Sequence, residues 1–544
     1  MKLSFISRIF RPALKGIRTF IMFIWRNLQF SETSRKRARM GLLITAVLLI
    51  IFIGAFMPRG IHPYLDPFIS VSISSIFAFL GGAGLLLALK IIHTIPRFFR
   101  DWGILLAGAI MAYMAMTLPM PVGLVFGLII IIAECLFFTG LLYLLYGDYR
   151  KSHLRMKIWI ITAFLIGLGF NGYVVWWLQS QGHDGYLPEM ARVKNHQVAR
   201  SDLENPASKG SMEIRELYYG SGNFRNRPEF GDSADLQTRT VDGSDFVSGN
   251  SGFRIKLREK LVGFDFEHMP LNAKVWFPQG DGPFPLVLMV HGNHNLAEFS
   301  DPGYANLGRH LARKGYIAVS VDENFLNGSF VGGLSNENDA RGWMLLQHLR
   351  QWHVWNRSDT SVFHRLVDTT RIALVGHSRG GEAAAIAGNF NRLPYYPDDA
   401  TIPFDFNFNI RSIIAIAPSE SQYNPAGKAN QLENVNYFII QGAHDADVSS
   451  FMGMRQYHNT TLTKEGIFKA SLYSYRSNHG QFNTVWGNTD FGWPLSLFLN
   501  KKPLLEEVEQ RRLGLVYMTG FLEATLKDKH EYIPMFRDHR RIKH

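Results

Sequence analysis

The chain has 544 residues, a formal net charge of +12 and a single cysteine, Cys135. Its length allows two or three domains, and one cysteine excludes a disulfide framework and argues against a cysteine nucleophile. Residues 1–40 contain ten Lys or Arg residues and one Glu, so nine of the twelve net positive charges lie there. This local basicity predicts a cytoplasmic tail that faces lipid headgroups and argues against a nucleic-acid-binding protein.

Residues 1–39 form a basic segment in which Arg8, Arg11, Lys15 and Arg18 follow one another at spacings of three and four. Such spacings place the four side chains on one face of a helix. Two interpretations stay open. The segment is an amphipathic helix on an anionic membrane surface, or it is a tail that only fixes the orientation of the chain.

A transmembrane domain is predicted over residues 40–179. Five of its segments come close to or exceed the roughly 20 apolar residues that a bilayer crossing needs. Each must be helical, because lipid cannot satisfy exposed backbone polar groups. The five segments are residues 40–57, 68–92, 102–118, 122–146 and 158–178.

The loops between these segments differ in charge. Loops 90–100 and 148–157 are basic, whereas loop 58–67 has few charges and loop 119–121 has none. Since basic loops stay in the cytoplasm, the amino terminus is predicted to be inside and everything after about residue 179 outside. In the alternative that stays open, the 119–121 turn makes segments three and four one re-entrant element.

Glu134 lies near the middle of the fourth segment. An ionisable group at that depth is costly and suggests a proton or ligand site. Asn171 in the fifth segment is its candidate partner. With no basic residue in mid-span, a protonated glutamate hydrogen-bonded between helices is the simpler interpretation, so the sequence gives little support for a transport function.

Residues 180–252 are polar and rich in Gly, Ser, Asn and Asp. They predict an extracytoplasmic linker with local turns. An α/β domain is predicted over residues 253–544, in which residues 253–260 and 273–277 alternate enough to be the first strands.

Beyond residue 284, short apolar runs alternate with helical patterns. This alternation is typical of a doubly wound, mostly parallel α/β sheet, whose functional site lies beyond the carboxyl ends of the strands. The predicted strands are residues 285–290, 316–321, 371–375, 410–417, 437–440 and 470–475, and the predicted helices include 304–314, 340–352 and 382–389.

The sequence RIALVGHSRGGEAAAI, residues 371–386, predicts a strand, a sharp turn and a helix, with Ser378 at the apex. Side chains at Gly376 and Gly380 would collide with neighbouring backbone in so tight a turn. His377 completes the elbow, and the backbone N–H of Arg379 points to where an oxyanion forms. G-x-S-x-G also occurs by chance in ordinary glycine-rich turns, but the flanking strand and helix favour a nucleophile.

A serine needs a base within hydrogen-bond reach, and that base needs a carboxylate to orient it. Asp445 follows the strand at 437–440, and His479 follows the strand at 470–475. The order Ser378, Asp445, His479 is that of a serine, acid, histidine triad. Asp447 remains an alternative to Asp445 as the acid.

An oxyanion needs two fixed donors, and the sequence HGNHN after the strand at 285–290 offers the first. The predicted oxyanion hole combines the backbone N–H groups of Asn293 and Arg379. The histidines and aspartates near these strand ends match no metal-ligand spacing, so no metal is expected.

Together, HGNHN, GHSRGG, GAHDADV and SNHGQF resemble the α/β-hydrolase superfamily, in outline its dienelactone hydrolase, chlorophyllase and platelet-activating-factor acetylhydrolase-like esterase branches. The resemblance covers about residues 250–530 and leaves the amino-terminal membrane region unexplained. It implies an α/β-hydrolase fold and no cofactor. The family roles that carry over are nucleophile for Ser378, general base for His479, orienting acid for Asp445, and oxyanion donors for Asn293 and Arg379.

The expected function is that of a membrane-anchored serine hydrolase acting outside the cytoplasm, with a carboxylic ester as substrate, either a small molecule or lipid-like. Its expected partners are this substrate and the lipid bilayer, with no nucleic acid. An acyltransferase or a peptidase using the same triad is the second hypothesis. A membrane protein with a relic, inactive hydrolase domain is the third.

Overall fold

The structure is a computed structural model that describes residues 122–183 and 203–541, together with the single positions 40 and 44. Within these ranges it leaves out residues 223–225, 248–249, 297, 329–333, 335, 492–495 and 497–498. The predicted basic segment and, apart from those two single positions, the first three predicted spans lie outside the described residues. The described residues divide into two compact units, one ending at Ser180 and the other beginning at Gln181.

The first unit contains two long helices, α1 (Val122–Leu145) and α2 (Leu154–Gln179). They coincide with the fourth and fifth predicted spans, which are therefore helical as expected. Among the described helices, α2 is the one whose length and apolar composition suffice to cross a membrane.

The two helices pack closely through small residues. A side chain at Gly167 would lie 2.6 Å from the backbone N of Phe137, and one at Gly140 would collide with Phe164. The rings of Phe137 and Phe164 stack beside these glycines, with centroids 5.6 Å apart. Glycine at such a crossing lets two helix backbones approach. Nδ2 of Asn171 donates to the carbonyl oxygen of Gly167 on its own helix at 3.0 Å, and the Asn171 side chain also interacts with its predicted partner, the Glu134 carboxyl on the facing helix.

The second unit is built on a nine-stranded sheet that is parallel over most of its width, so the α/β class is confirmed. Numbered along the chain, its strands are β1 (Ile214–Gly220), β2 (Leu236–Gln237), β3 (Asn272–Pro278), β4 (Phe284–Val290), β5 (Ile317–Asp322), β6 (Val367–His377), β7 (Ile410–Ile416), β8 (Asn436–Gly442) and β9 (Lys469–Ser474). Their order across the sheet is β9-β8-β7-β6-β4-β5-β3-β1-β2. The β3 strand is antiparallel to both of its neighbours, β5 and β1.

Helices cover both faces of this sheet. The remaining helices are α3 (Phe253–Val262), α4 (Ala305–Arg313), α5 (Asn338–Arg357), α6 (Arg379–Phe390), α7 (Met454–His458), α8 (Glu507–Leu526) and α9 (Pro534–Arg537). Two short strand pairs lie outside the main sheet, Leu432–Glu433 with Thr460–Thr461 and Tyr395–Tyr396 with Asp399–Pro403.

Successive residues of the central strands contribute to two separate cores. On β4, Leu286 and Leu288 join the core that contains α5 and α6. Val287 and Met289 join the other core, which contains α4 and α8. Because β4 and β5 are buried on both faces, they are continuous apolar runs, which is why the sequence predicts them.

Residues 253–260 form part of helix α3, so the prediction of a strand there was wrong. Alternating apolar and basic residues suggested a strand, but Arg258 and Val262, four residues apart, are the positions buried on one helical face. Gly263 ends the helix with a φ of 103°, a conformation that glycine adopts readily. Strand β1 lies within the segment predicted to be a linker and pairs with β3.

Candidate active site

Ser378 occupies the sharp turn between β6 and α6. Its backbone has φ 58° and ψ −126°, a conformation rarely adopted by residues other than glycine. A side chain at Gly380 would lie 2.6 Å from the carbonyl oxygens of Val290 and His291, and one at Gly376 would collide with Gly380. The predicted crowding at both glycines is confirmed, and the turn presents the serine at the carboxyl end of a central strand.

His479 and Asp445 lie on neighbouring loops at the same edge of the sheet. The acid loop, residues 443–448, follows β8, and the histidine loop, residues 475–482, follows β9. Nδ1 of His479 lies 2.8 Å from Oδ2 of Asp445, and both side chains are almost completely buried. The structure therefore brings together the predicted base and one of its two candidate acids.

Asp445 and Asp447 have different surroundings. Asp445 accepts hydrogen bonds from the backbone N–H groups of Asp447 (3.0 Å) and Val448 (2.7 Å) and from Nε2 of Gln441 (2.7 Å). The Asp447 side chain is 47% exposed, and its Oδ2 lies 3.5 Å from Nε2 of His479. Geometry thus gives the orienting position at Nδ1 to Asp445, while Asp447 faces the other ring nitrogen.

The protonation of His479 is set by opposing effects. Burial alone would lower the pKa of His479, but the hydrogen-bonded carboxylate of Asp445 and the nearby charges of Asp447 and Asp490 outweigh it and raise that pKa above its ordinary value. Within the described part of the chain, Nε2 of His479 is buried and has no hydrogen-bond partner. The contact between Ser378 and His479 that a triad needs is thus not formed in this structure.

His377, directly before the serine, holds the histidine loop. Its Nε2 lies 3.1 Å from the carbonyl oxygen of His479, and its Nδ1 lies 3.0 Å from the hydroxyl of Tyr304. A carbonyl only accepts, so Nε2 carries the proton and Nδ1 accepts from the tyrosine. Burial lowers the pKa of His377 well below its ordinary value, so the ring is neutral and keeps this tautomer.

The loop that carries Asn293 passes directly over the serine. A side chain at Gly292 would come 2.9 Å from Oγ of Ser378. The Asn293 side chain accepts a hydrogen bond of 3.0 Å from the backbone N–H of Gly328, which fixes the loop. In the described ranges no hydrogen bond engages the backbone N–H of Asn293. The N–H of Arg379 lies in the first turn of α6, where backbone donors lack helical partners.

His291 is buried at the start of the same loop. Its Nε2 accepts a hydrogen bond of 3.0 Å from the backbone N–H of Glu323, and its Nδ1 lies 2.8 Å from the carbonyl oxygen of Gly292. Burial lowers the pKa of His291 to about 3, so the ring stays neutral. His291 is therefore a structural support for the loop and not a second base.

Trp486 forms a wall of the site that the sequence did not predict. Its ring is nearly parallel to that of His479, at 4° and 5.7 Å between centroids, and also to that of His294, at 12° and 5.5 Å. Its Nε1 donates to Oγ of Ser300 at 2.9 Å. Trp486 lies in a loop without regular structure, and no motif in the sequence marks it.

Among the residues that the structure describes, no three His, Cys, Asp or Glu side chains gather as a group able to hold a metal ion. Comparison with protein-family models gave no match to this chain. Comparison with curated proteins likewise gave no significant match.

Proposed function

We propose that this protein is a membrane-anchored serine hydrolase that cleaves carboxylic esters through Ser378, His479 and Asp445. The observation that carries the proposal is the strained Ser378 turn at the end of a central strand, together with the buried His479–Asp445 pair on the adjacent loops. The serine, acid, histidine order along the chain supports an α/β-hydrolase fold for this unit.

The acylation half-reaction uses His479 as the base and Asp445 as the carboxylate that orients it. Nε2 of His479, which has no hydrogen-bond partner in the described structure, takes the proton of Ser378 as Oγ attacks the ester carbonyl carbon. The hydrogen bond from Nδ1 to Asp445 holds the ring and stabilises the imidazolium that forms. Catalytic hydrogen bonds often close only when substrate binds, which accounts for the open contact to Ser378.

The developing oxyanion accepts from the backbone N–H groups of Asn293 and Arg379, and losing one such donor typically costs about 10² to 10³ in rate. The imidazolium then protonates the leaving alkoxide, which departs as an alcohol and leaves an acyl-enzyme on Ser378. Water attacks the acyl carbon and gives a proton to His479, which returns it to Oγ of Ser378 as the bond to the acyl group breaks and the acid leaves. An alkoxide leaves more readily than an amide nitrogen, which favours an ester substrate.

The membrane anchor is the second part of the proposal. Helix α2 exposes large apolar side chains, among them Trp159 (72% exposed), Trp176 (63%) and Leu165 (56%). A core helix would bury such side chains, and lipid is the environment that suits them. The chain crosses the membrane five times, with its amino terminus in the cytoplasm and the hydrolase unit outside, because basic residues cluster in alternate loops.

Covalent labelling tests the enzymatic proposal. The full-length protein in detergent or lipid nanodiscs is expected to react with a fluorophosphonate probe at Ser378, and Ser378→Ala is expected to abolish the adduct. A neighbouring serine that is also buried, Ser419, serves as the matched control, since Ser419→Ala removes a hydroxyl bonded to Glu382 and leaves Ser378 intact. No adduct in folded wild-type protein contradicts an activated serine.

Turnover then identifies the reaction. p-Nitrophenyl esters are expected to be hydrolysed, and peptide amides are expected to be cleaved at least 10²-fold more slowly. Addition of an alcohol acceptor distinguishes transfer from hydrolysis, because an acyltransferase forms the new ester in preference to the free acid. Preferential amide cleavage or ester formation contradicts the proposed hydrolysis while retaining the serine nucleophile.

A further inference from the structure

Asp490 lies between the acid loop and the histidine loop. Its Oδ2 accepts hydrogen bonds from the backbone N–H groups of Ala446 (2.9 Å) and His479 (3.2 Å). Its Oδ1 accepts from the backbone N–H of Gly480 (3.0 Å) and from Nδ2 of Asn478 (2.7 Å). One carboxylate therefore joins Ala446, which follows Asp445 in the chain, to three consecutive residues around the candidate base.

The number of donors requires a carboxylate at this position. A carboxylate accepts through both oxygens, whereas an asparagine amide accepts through one and directs N–H groups from the other end. An amide at position 490 would face two N–H donors that it cannot satisfy. Unsatisfied donors in a largely enclosed site are costly, and hydrogen bonds to an ionised acceptor are stronger than neutral ones.

The contacts to His479 show what Asp490 adds. The imidazole is held at Nδ1 by Asp445, at 2.8 Å. The carbonyl oxygen of His479 is held by His377, and its backbone N–H is held by Asp490. Of these three residues, Asp490 is the one that also accepts a hydrogen bond from Ala446, next to Asp445. It therefore fixes the separation of the acid loop and the histidine loop.

We propose that Asp490 is a positioning residue that fastens the acid loop to the histidine loop and holds His479 where its Nε2 can accept the proton of Ser378. The inference rests on the proposed function, since positioning matters for rate only if His479 is the base. Asp490 touches neither the ring nitrogens of His479 nor the serine in this structure, so it positions the histidine through hydrogen bonds to the backbone.

Because Asp490 is charged, its removal should also change the pH dependence of the rate, which the loss of a purely structural residue would not do. The charged or titratable groups that face His479 are Asp445, Asp447, Asp490 and the ring of His377, whose centroid lies 5.0 Å from that of His479. Removing the negative charge of Asp490 lowers the pKa of His479, so the acid limb of the pH–rate profile moves to lower pH. Glutamate at position 490 keeps the negative charge but moves the carboxylate oxygens away from their hydrogen-bond donors.

The variants Asp490→Asn and Asp490→Glu are compared with wild type as full-length protein, with a p-nitrophenyl ester as substrate. Asp490→Asn is expected to lower kcat about tenfold or more, because His479 is then held less firmly in its productive position. A tenfold loss corresponds to about 1.4 kcal/mol of lost transition-state stabilisation. KM is expected to stay within about twofold, and the acid limb to move to lower pH. Asp490→Glu is expected to lower kcat while keeping the acid limb at its wild-type position.

Asp368→Asn is the matched control. Asp368 is likewise a hydrogen-bonded aspartate, which accepts from the backbone N–H and the hydroxyl of Thr370, but it lies near the amino end of β6, away from the site. Its substitution is expected to leave kcat and the pH profile unchanged. A wild-type kcat and pH profile for Asp490→Asn overturns the inference, and so does a kcat loss without a shift of the acid limb. If Asp490→Asn does not fold, a wild-type kcat for Asp490→Glu overturns it.

A spectroscopic titration separates this inference from the proposed function. In full-length protein labelled with ¹⁵N-histidine, the His479 resonance is assigned by its loss in His479→Gln. Asp490→Asn is expected to lower the titration midpoint of that resonance, whether or not the protein hydrolyses esters. An unchanged midpoint overturns the role of Asp490, whereas absent fluorophosphonate labelling with a shifted midpoint overturns the enzyme and retains the contact.

Discussion

At the scale of single residues, two aspartates two positions apart meet different nitrogens of one ring. Asp445 is buried at Nδ1 of His479, and Asp447 is half exposed near Nε2. Asp445→Asn is expected to lower kcat/KM by about 10³- to 10⁴-fold, because an amide cannot fix the required tautomer or stabilise the imidazolium. Ester turnover measured across the pH range checks this.

Asp447→Asn is the matched variant on the same loop. His479 acts as a base only when Nε2 is unprotonated, so activity rises as the pH increases through its pKa, which lies above the ordinary 6.5. Removing the charge of Asp447 lowers that pKa and moves the acid limb to lower pH, while the plateau changes by less than about tenfold. A larger loss in Asp447→Asn than in Asp445→Asn would reverse the two assignments.

The sequence predicts some site residues and misses others for a physical reason. Asp445 and His479 lie in the loops that follow the neighbouring parallel strands β8 and β9. The carboxyl ends of parallel strands meet at one edge, so the pairing of the two residues follows from their order in the chain. Asp490 and Trp486 come from a loop whose path back to the site depends on tertiary contacts. The link from His377 to the His479 backbone likewise depends on how loops pack, which no spacing encodes.

At the scale of elements, the junction between β4 and α6 determines whether the nucleophile turn forms. A methyl group at Gly380 would meet rigid backbone carbonyls at 2.6 Å, which cannot move without shifting β4. Gly380→Ala is expected to destabilise the protein by about 1–3 kcal/mol and to abolish labelling of Ser378. Thermal unfolding of the full chain and fluorophosphonate labelling are the measurements.

Gly388→Ala, in the same helix, is the control for this substitution. Its methyl group would meet the ends of Ile413 and Leu432, which are flexible side chains. Alanine also favours a helix over glycine by about 1 kcal/mol, so the net change is expected to be within about 1 kcal/mol. Equal destabilisation by the two variants would show that the turn tolerates a side chain at position 380.

Prediction of elements succeeded where burial alone determines the pattern. The sequence identifies each strand from β3 to β9, and β4, β5 and β8 are short runs that are buried almost throughout, whereas the edge strand β9 is partly exposed. It fails for α3, where alternation over eight residues fits a strand as well as a helix that buries only two positions. It also misses β1, because that strand exists through pairing with β3, about 60 residues further along the chain.

At the scale of the whole molecule, the charge of the loops predicts on which side of the membrane the second unit lies. Helix α2 separates two exposed positions that test it, Lys151 before the helix and Ser233 after it. In a Cys135→Ser background, Ser233→Cys is expected to react with a membrane-impermeant maleimide in intact cells. Lys151→Cys is expected to react only after permeabilisation, because basic loops are retained in the cytoplasm.

Labelling both Lys151→Cys and Ser233→Cys distinguishes the possible topologies. Reaction at Lys151→Cys and protection at Ser233→Cys would place the second unit in the cytoplasm, as an even number of crossings requires, and would contradict the five-span prediction. Reaction of both in intact cells would mean that α2 does not cross the membrane, although its exposed tryptophans and leucines would then need another apolar environment. For the proposed ester hydrolysis, an outside location would limit the substrates to esters outside the cytoplasm or in the outer leaflet.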